Sequence, residues 1–140
     1  MTRIVTHSVT ETEALGSRLA AQCGAGTVVA FFGGLGMGKT AFVRGMAQVL
    51  APTAEVSSPT FALVNDYGGT PPLVHFDMYR VTGWEDLDTT GFFDYQDAGA
   101  ILAVEWSENI EAALPSDAVR VTFERLSETE RAITVEGGSL

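Results

Sequence analysis

The sequence contains one cysteine and one lysine in 140 residues, and no apolar run reaching the roughly 18 residues that a membrane-spanning helix requires. The lone Cys23 can form no internal disulfide, which removes the cross-linked scaffolds open to small secreted domains. It falls late in a predicted helix with no histidine nearby, and so reads as a core residue. The opening Met1-Thr2-Arg3-Ile4 has neither the charged nor the apolar region of a signal peptide, so a cytoplasmic protein with no membrane association is expected. Charged residues are scarce, 19% against 46% hydrophobic, a balance that argues against a disordered or fibrous chain and fills one interior. At this length a single domain spanning residues 1–140 is expected.

Basic residues are also short in one half. The formal net charge is -10. Before His75 four Lys/Arg balance four Asp/Glu, whereas from His75 onward four arginines face fourteen carboxylates. Such a distribution repels phosphate backbones and disfavours non-specific nucleic-acid binding. A basic partner protein, or a solvated face that aids solubility, accounts for it better.

Periodicity predicts an α/β chain with a mixed parallel and antiparallel sheet flanked by helices. Residues Arg3 to His7 read as a strand, and Thr10 with Glu13 as a capping box opening a helix to about Cys23, its apolar face formed by Ala14, Leu15, Leu19 and Ala20. Thr27 to Phe32 is a β-branched apolar run suited to a strand buried on both faces. Phe42, Met46, Val49 and Leu50 are spaced for a helix from Lys39, stopped by Pro52. Phe61 to Tyr67 and Leu73 to Met78 are predicted to form a hairpin turned at Gly68-Gly69. Trp84 to Leu87 fits one helical turn, Ile101 to Trp106 a buried strand, and Val119 to Leu126 with Arg131 to Glu136 a second hairpin. No repeat or interdomain linker is evident.

Between the apolar strand and the helix lies Gly33-Gly34-Leu35-Gly36-Met37-Gly38-Lys39-Thr40, a match to G-x-x-x-x-G-K-[ST] in the strand-to-helix context that gives the motif its meaning. Small residues let successive backbone N–H groups turn toward phosphate oxygens beside the positive end of the following helix. Lys39 is placed to reach the β- and γ-phosphates, and Thr40 to offer a hydroxyl to Mg²⁺, a hard cation that prefers oxygen ligands. The chain has seven arginines, and its single lysine is the one in this motif. A compact ammonium serves as a point charge there, where a planar guanidinium does not. The absence of any second lysine disfavours a GTPase, whose guanine-reading N-K-x-D motif needs one, and leaves ATP favoured.

A phosphate loop of this kind works with a carboxylate at the end of a neighbouring strand, which holds hydrated Mg²⁺ or orients the attacking water. Ile101-Leu102-Ala103-Val104 followed by Glu105 fits well, and Val74-His75-Phe76 followed by Asp77 fits less cleanly, so Glu105 is favoured. Ser57-Ser58-Pro59-Thr60 has the composition of a switch segment, although spacing alone favours an ordinary turn. His75 is read as a structural histidine with no catalytic role. Trp106 and Trp84 are read as packing residues, Trp106 with the alternative of lying over a nucleotide.

Taken in order, Thr12-Glu13-Ala14-Leu15-Gly16, the Gly33 to Thr40 run, Val56-Ser57-Ser58-Pro59-Thr60-Phe61, His75-Phe76-Asp77-Met78-Tyr79-Arg80 and Val104-Glu105-Trp106 resemble the TsaE (YjeE) family along nearly the whole chain. The phosphate loop is shared by many ATPases, but S-P-T-[FY], H-F-D-x-Y-R and E-W in this order are close to diagnostic. The resemblance implies a P-loop ATPase that uses ATP and Mg²⁺ to support threonylcarbamoyladenosine modification of tRNA. Its partners would be the TsaB and TsaD proteins, whose complex it would drive or reset, with tRNA reached only indirectly. It assigns nucleotide binding to Gly33, Leu35, Gly36, Met37, Gly38, Lys39 and Thr40, and Mg²⁺ to Thr40 and Glu105. Thr60 and Asp77 would join Glu105 in the switch and hydrolysis machinery, and Thr12 would lie near the adenine. The family usually carries Asp in place of Gly34 and a second hydroxyl residue in place of Ala41. Two other readings stay open: a nucleotide-gated binding module with negligible hydrolysis, and a small P-loop kinase, the latter disfavoured by scattered arginines and the lack of a lid-length insertion.

Overall fold

The computed structural model describes residues 1–33, 38–57 and 64–138. Among them seven strands form one sheet in the order β1-β7-β6-β2-β5-β4-β3. In chain order the elements are β1 (Thr2–Thr6), α1 (Val9–Ala20), β2 (Val28–Phe32), α2 (Lys39–Leu50), β3 (Val64–Gly69), β4 (Pro72–Asp77), α3 (Trp84–Thr89), α4 (Phe92–Asp97), β5 (Ile101–Glu105), a 3-10 segment (Ser107–Ala113), β6 (Val119–Arg125) and β7 (Arg131–Glu136). The central strands β6, β2, β5 and β4 run parallel, and β7, β1 and β3 are added antiparallel at the two sides. The expected mixed sheet is thus observed.

Alternation along the strands sorts two cores. Val29, Phe31, Leu73, Ile101 and Ala103 face α1 and α2, where Phe31, Phe42 and Phe123 meet edge to face with centroids 5.5 to 5.7 Å apart. Val28, Val74, Phe76, Leu102 and Val104 face the other way, onto Leu87 and Phe92 of the short helices α3 and α4. The strands at the centre read as unbroken apolar runs because both of their faces are covered. Two glycines let α1 and α2 cross closely. A Cβ on Gly45 would lie 1.8 Å from the Glu13 carbonyl oxygen, and one on Gly16 would lie 2.1 Å from that of Phe42. This crossing clamps α2, and with it Lys39, against the sheet.

Several expectations are corrected. The cap of α1 is Ser8, not Thr10: Ser8 is extended (φ -159°, ψ 163°), its side chain accepts from the Glu11 N–H, and the Glu11 carboxylate accepts from the His7 N–H at 2.8 Å. Gly68 and Gly69 belong to β3 rather than to its turn, which falls at Thr70-Pro71. The pairing of β3 with β4 shifts register between Asp66 and Gly69, and the two positive-φ glycines absorb that irregularity. Helix α4 and the 3-10 segment were not foreseen, because each spans only six or seven residues and carries no clear period. The part of the predicted hairpin at 61–63 lies outside the described residues.

Candidate functional site

Three parallel strands end side by side. β2 runs out at Phe32 into Gly33, β4 ends at Asp77, and β5 ends at Glu105, with Asp77 and Glu105 paired in register. The carboxyl ends of the central strands are where open α/β sheets place their ligands. Asp77 and Glu105 also share their face with His75 and Ala103, the face that carries α1 and α2.

Lys39 opens the 12-residue helix α2, is only 4% exposed, and donates from Nζ to the Gly33 carbonyl oxygen at 2.7 Å. Its ammonium also stands 5.2 Å from the centre of the Trp106 ring. Among the described residues it makes no ion pair. A nearly buried cation whose contacts among the described residues are one neutral oxygen and an aromatic face is an uncommon and costly arrangement. Gly33 has φ 125°, and a Cβ there would meet the Phe123 carbonyl oxygen at 2.7 Å, so the position after β2 admits only glycine. Its N–H donates to Glu108 Oε2 at 3.2 Å, a contact that no sequence signal announced. Gly38 caps α2 in the left-handed region and offers no side-chain cap, leaving the helix N-terminus without that internal anion. Thr40, the second residue of α2, is half-buried beside it. Leu35, Gly36 and Met37, like Gly34, and Thr60 with Ser58, Pro59 and Phe61, lie outside the described residues.

Glu105 is 7% exposed, and its Oε2 lies 2.6 Å from Nε2 of His75. His75 is fully buried, with Nδ1 3.0 Å from the Tyr67 hydroxyl. The histidine read as merely structural is therefore in direct contact with the favoured carboxylate. Alternation was the available signal, since it puts His75 and Asp77 on one face of β4. Burial raises the Tyr67 hydroxyl above its ordinary pKa, and the Glu105 charge adds to the rise, against the lowering effect of hydrogen bonds with the Asn65 side chain and the Ser57 backbone. Asp77 Oδ1 accepts from the Tyr79 N–H at 2.9 Å. Trp106 is half-buried rather than a core residue. It adopts φ 59°, the one positive-φ non-glycine among the described residues, and its ring lies against Tyr79 at 4.9 Å between centroids. A bulky residue in the left-handed region costs energy, and such strain tends to gather at functional sites.

Thr12 is 3% exposed and uses its hydroxyl internally, 2.8 Å from the Thr6 hydroxyl. With His7, Gly38, Glu128 and Arg131 it lines a cavity of about 340 Å³ reaching the start of α2. A larger cavity of about 470 Å³, lined by Gln22, Cys23, Asp117 and Gly137, lies at the opposite, amino ends of the strands and brings no constellation of chemical groups together. Trp84, expected to pack, is 60% exposed and stacks on Phe93. No group of three or more His, Cys, Asp or Glu arranged for a metal ion occurs among the described residues, and no helix among them is long and apolar enough to cross a membrane.

A strand–glycine–lysine–helix junction facing two carboxylates at the ends of parallel strands defines a P-loop-like α/β domain. The family model for threonylcarbamoyl adenosine biosynthesis protein TsaE matches residues 6–133, and the chain belongs to the TsaE family. It is similar to TsaE of Bacillus subtilis, with 36% identity over 89% of this chain and 78% of that protein. With TsaE of Treponema pallidum the identity is 34%, over 95% and 98% of the two chains. The crystal structure of YdiB from Bacillus subtilis superposes with a TM-score of 0.79 at 33% identity, covering 96% of this chain and 83% of that one. The family's role is in tRNA threonylcarbamoyladenosine biosynthesis.

Proposed function

We propose that this protein binds Mg-ATP at the Gly33 to Thr40 segment and hydrolyses it to drive or reset the TsaB–TsaD complex during threonylcarbamoyladenosine modification of tRNA. The observation that carries this reading is Lys39, a buried cation at a helix N-terminus with no anion beside it among the described residues. Phosphate oxygens supply the missing negative charge, and they meet the N–H groups of the first turn of α2.

The donor set fits the nucleotide and its metal: one ammonium, the Thr40 hydroxyl, and the Glu105 and Asp77 carboxylates, all hard oxygen donors apart from the lysine. Thr40 and Glu105 would hold Mg²⁺, which when bound neutralises charge that develops on the transferring phosphoryl group. Lys39 exchanges its bond to the Gly33 carbonyl for the β- and γ-phosphate oxygens. Asp77 stands beside Glu105 to orient a water. Glu108, bonded to the Gly33 N–H, steadies the start of the loop. The cavity between Thr12 and Gly38 continues from the helix N-terminus and would take the adenine. The lack of an N-K-x-D segment favours ATP over GTP.

The test is phosphate release from Mg-ATP by the purified chain, alone and with TsaB, TsaD and tRNA. Release should rise with the partners, vanish in Lys39→Ala and fall at least about a hundredfold in Glu105→Gln, whose ATP affinity should stay near wild type. Tight binding without hydrolysis under every condition would replace this reading with a nucleotide-gated binding module.

A further inference from the structure

Four groups from four segments form one hydrogen-bonded line at the site. Glu105 Oε2, at the end of β5, lies 2.6 Å from His75 Nε2 on β4. His75 Nδ1 lies 3.0 Å from the Tyr67 hydroxyl on β3, and that hydroxyl lies 3.0 Å from the carbonyl oxygen of Ser57, in the chain between α2 and β3. The register shift between Asp66 and Gly69 takes Tyr67 out of the regular ladder at this point, a usual means of re-aiming one side chain.

Counting donors fixes the direction of most of this line. The Ser57 carbonyl can only accept, and Tyr67 has one proton to give. When that proton goes to Ser57, His75 donates from Nδ1 to the Tyr67 oxygen. Nε2 and Oε2 are then too close for two facing lone pairs, and one proton lies between them. His75 is fully buried, and no buried side-chain polar atom among the described residues is left without a partner. The ring thus joins a carboxylate to a hydroxyl inside a face whose remaining buried side chains are largely apolar, and a buried network of this kind holds its members in fixed orientation.

We propose that His75 is a positioning residue for Glu105, fixing Oε2 so that Oε1 is presented to a divalent cation, and that Tyr67 ties this orientation to the chain at Ser57. Carboxylates that ligate metals are themselves held by hydrogen bonds, and loss of such support weakens metal binding more than it weakens the fold. The assignment rests on the Mg-ATP reading above.

The experiment uses the full-length chain with the non-hydrolysable analogue AMPPNP and Mn²⁺ as a paramagnetic probe, in His75→Gln and in Tyr67→Phe, which keeps the ring and removes only the hydroxyl. Affinity for AMPPNP without metal should stay within about twofold of wild type. Affinity of the AMPPNP complex for Mn²⁺ should fall about tenfold in His75→Gln and about threefold in Tyr67→Phe, with kcat for ATP falling in the same order and KM unchanged. A purely structural role would lower the unfolding temperature and leave Mn²⁺ affinity and the split between kcat and KM untouched, and that result overturns the proposal. Should His75→Gln fail to fold, Tyr67→Phe alone decides, because wild-type Mn²⁺ affinity in that variant is equally fatal. A wild-type chain that binds no AMPPNP removes the Mg-ATP reading and this assignment with it, a failure told apart from the first by its appearance before any substitution is made.

Discussion

Lys39 is a charged side chain placed at the expense of stability, as the proposed function requires. Among the described residues its ammonium has left water for a single carbonyl oxygen and the face of Trp106, which offset only part of the several kcal/mol that desolvating a cation costs. Replacing it by the apolar Met should therefore raise the unfolding free energy of the nucleotide-free protein by about 1 kcal/mol in denaturant titrations while abolishing nucleotide binding. A loss of stability would show that the lysine is a structural tie and not a charge reserved for a ligand. Cys23 is the opposite case, a group with chemistry suppressed. Burial pushes its thiol from 9.0 up to about 11, which at pH 8 leaves about a hundredfold less thiolate than an unperturbed thiol. Iodoacetamide at pH 8 should alkylate the native protein at roughly that lower rate and reach the unfolded rate only in denaturant. Rapid labelling of the native chain would contradict the burial.

At the scale of elements, the crossing of α1 and α2 decides where α2 and its first residue Lys39 lie. Gly45→Ala would press a methyl group onto the Glu13 carbonyl, backbone against backbone, and neither helix can yield without moving the other. It should cost about 3 kcal/mol or more in equilibrium unfolding and weaken nucleotide binding through displacement of Lys39. Ser8→Ala, which removes only the cap of α1, should cost about 1 kcal/mol and leave nucleotide affinity unchanged. If the two variants affected binding equally, the crossing would not be what places α2. The departures at Gly34 and Ala41 remove no backbone donor, so under the proposed function nucleotide binding is expected to survive them.

On the scale of the whole molecule the asymmetry of charge dominates. Fourteen carboxylates against four arginines lie from His75 onward, and the few ion pairs among the described residues involve partly exposed groups apart from His75 with Glu105. Self-repulsion of this kind is screened within about 8 to 10 Å at ordinary ionic strength. Raising NaCl from low to physiological concentration should therefore raise Tm by a few degrees, as followed by circular dichroism. A flat response would mean that the carboxylates are too dispersed to act together. Under the proposed function, the same surface should make association with a basic face of the TsaB–TsaD complex weaken with salt, chiefly through a slower on-rate.

The central strands, the helix after the glycine run and the position of Glu105 at the end of β5 were legible in the sequence because each is a local pattern: a period, a spacing, or an apolar run ended by a charge. The final hairpin was legible for the same reason, and the order of short motifs sufficed for the family. What the residues could not show alone are matters of distance between strands. His75 looked structural because its two partners come from β3 and β5, reached only when the sheet order places β4 between them. Trp106 looked like core, yet the chain turns through the left-handed region after β5 and sets its ring beside Lys39, 67 positions earlier in the sequence. The cap moved from Thr10 to Ser8 because pairing of β1 with β7 fixes where the first strand ends and the helix begins. Local patterns are set by neighbours along the chain, whereas hydrogen bonds between side chains depend on which strands lie side by side, and only the folded sheet determines that.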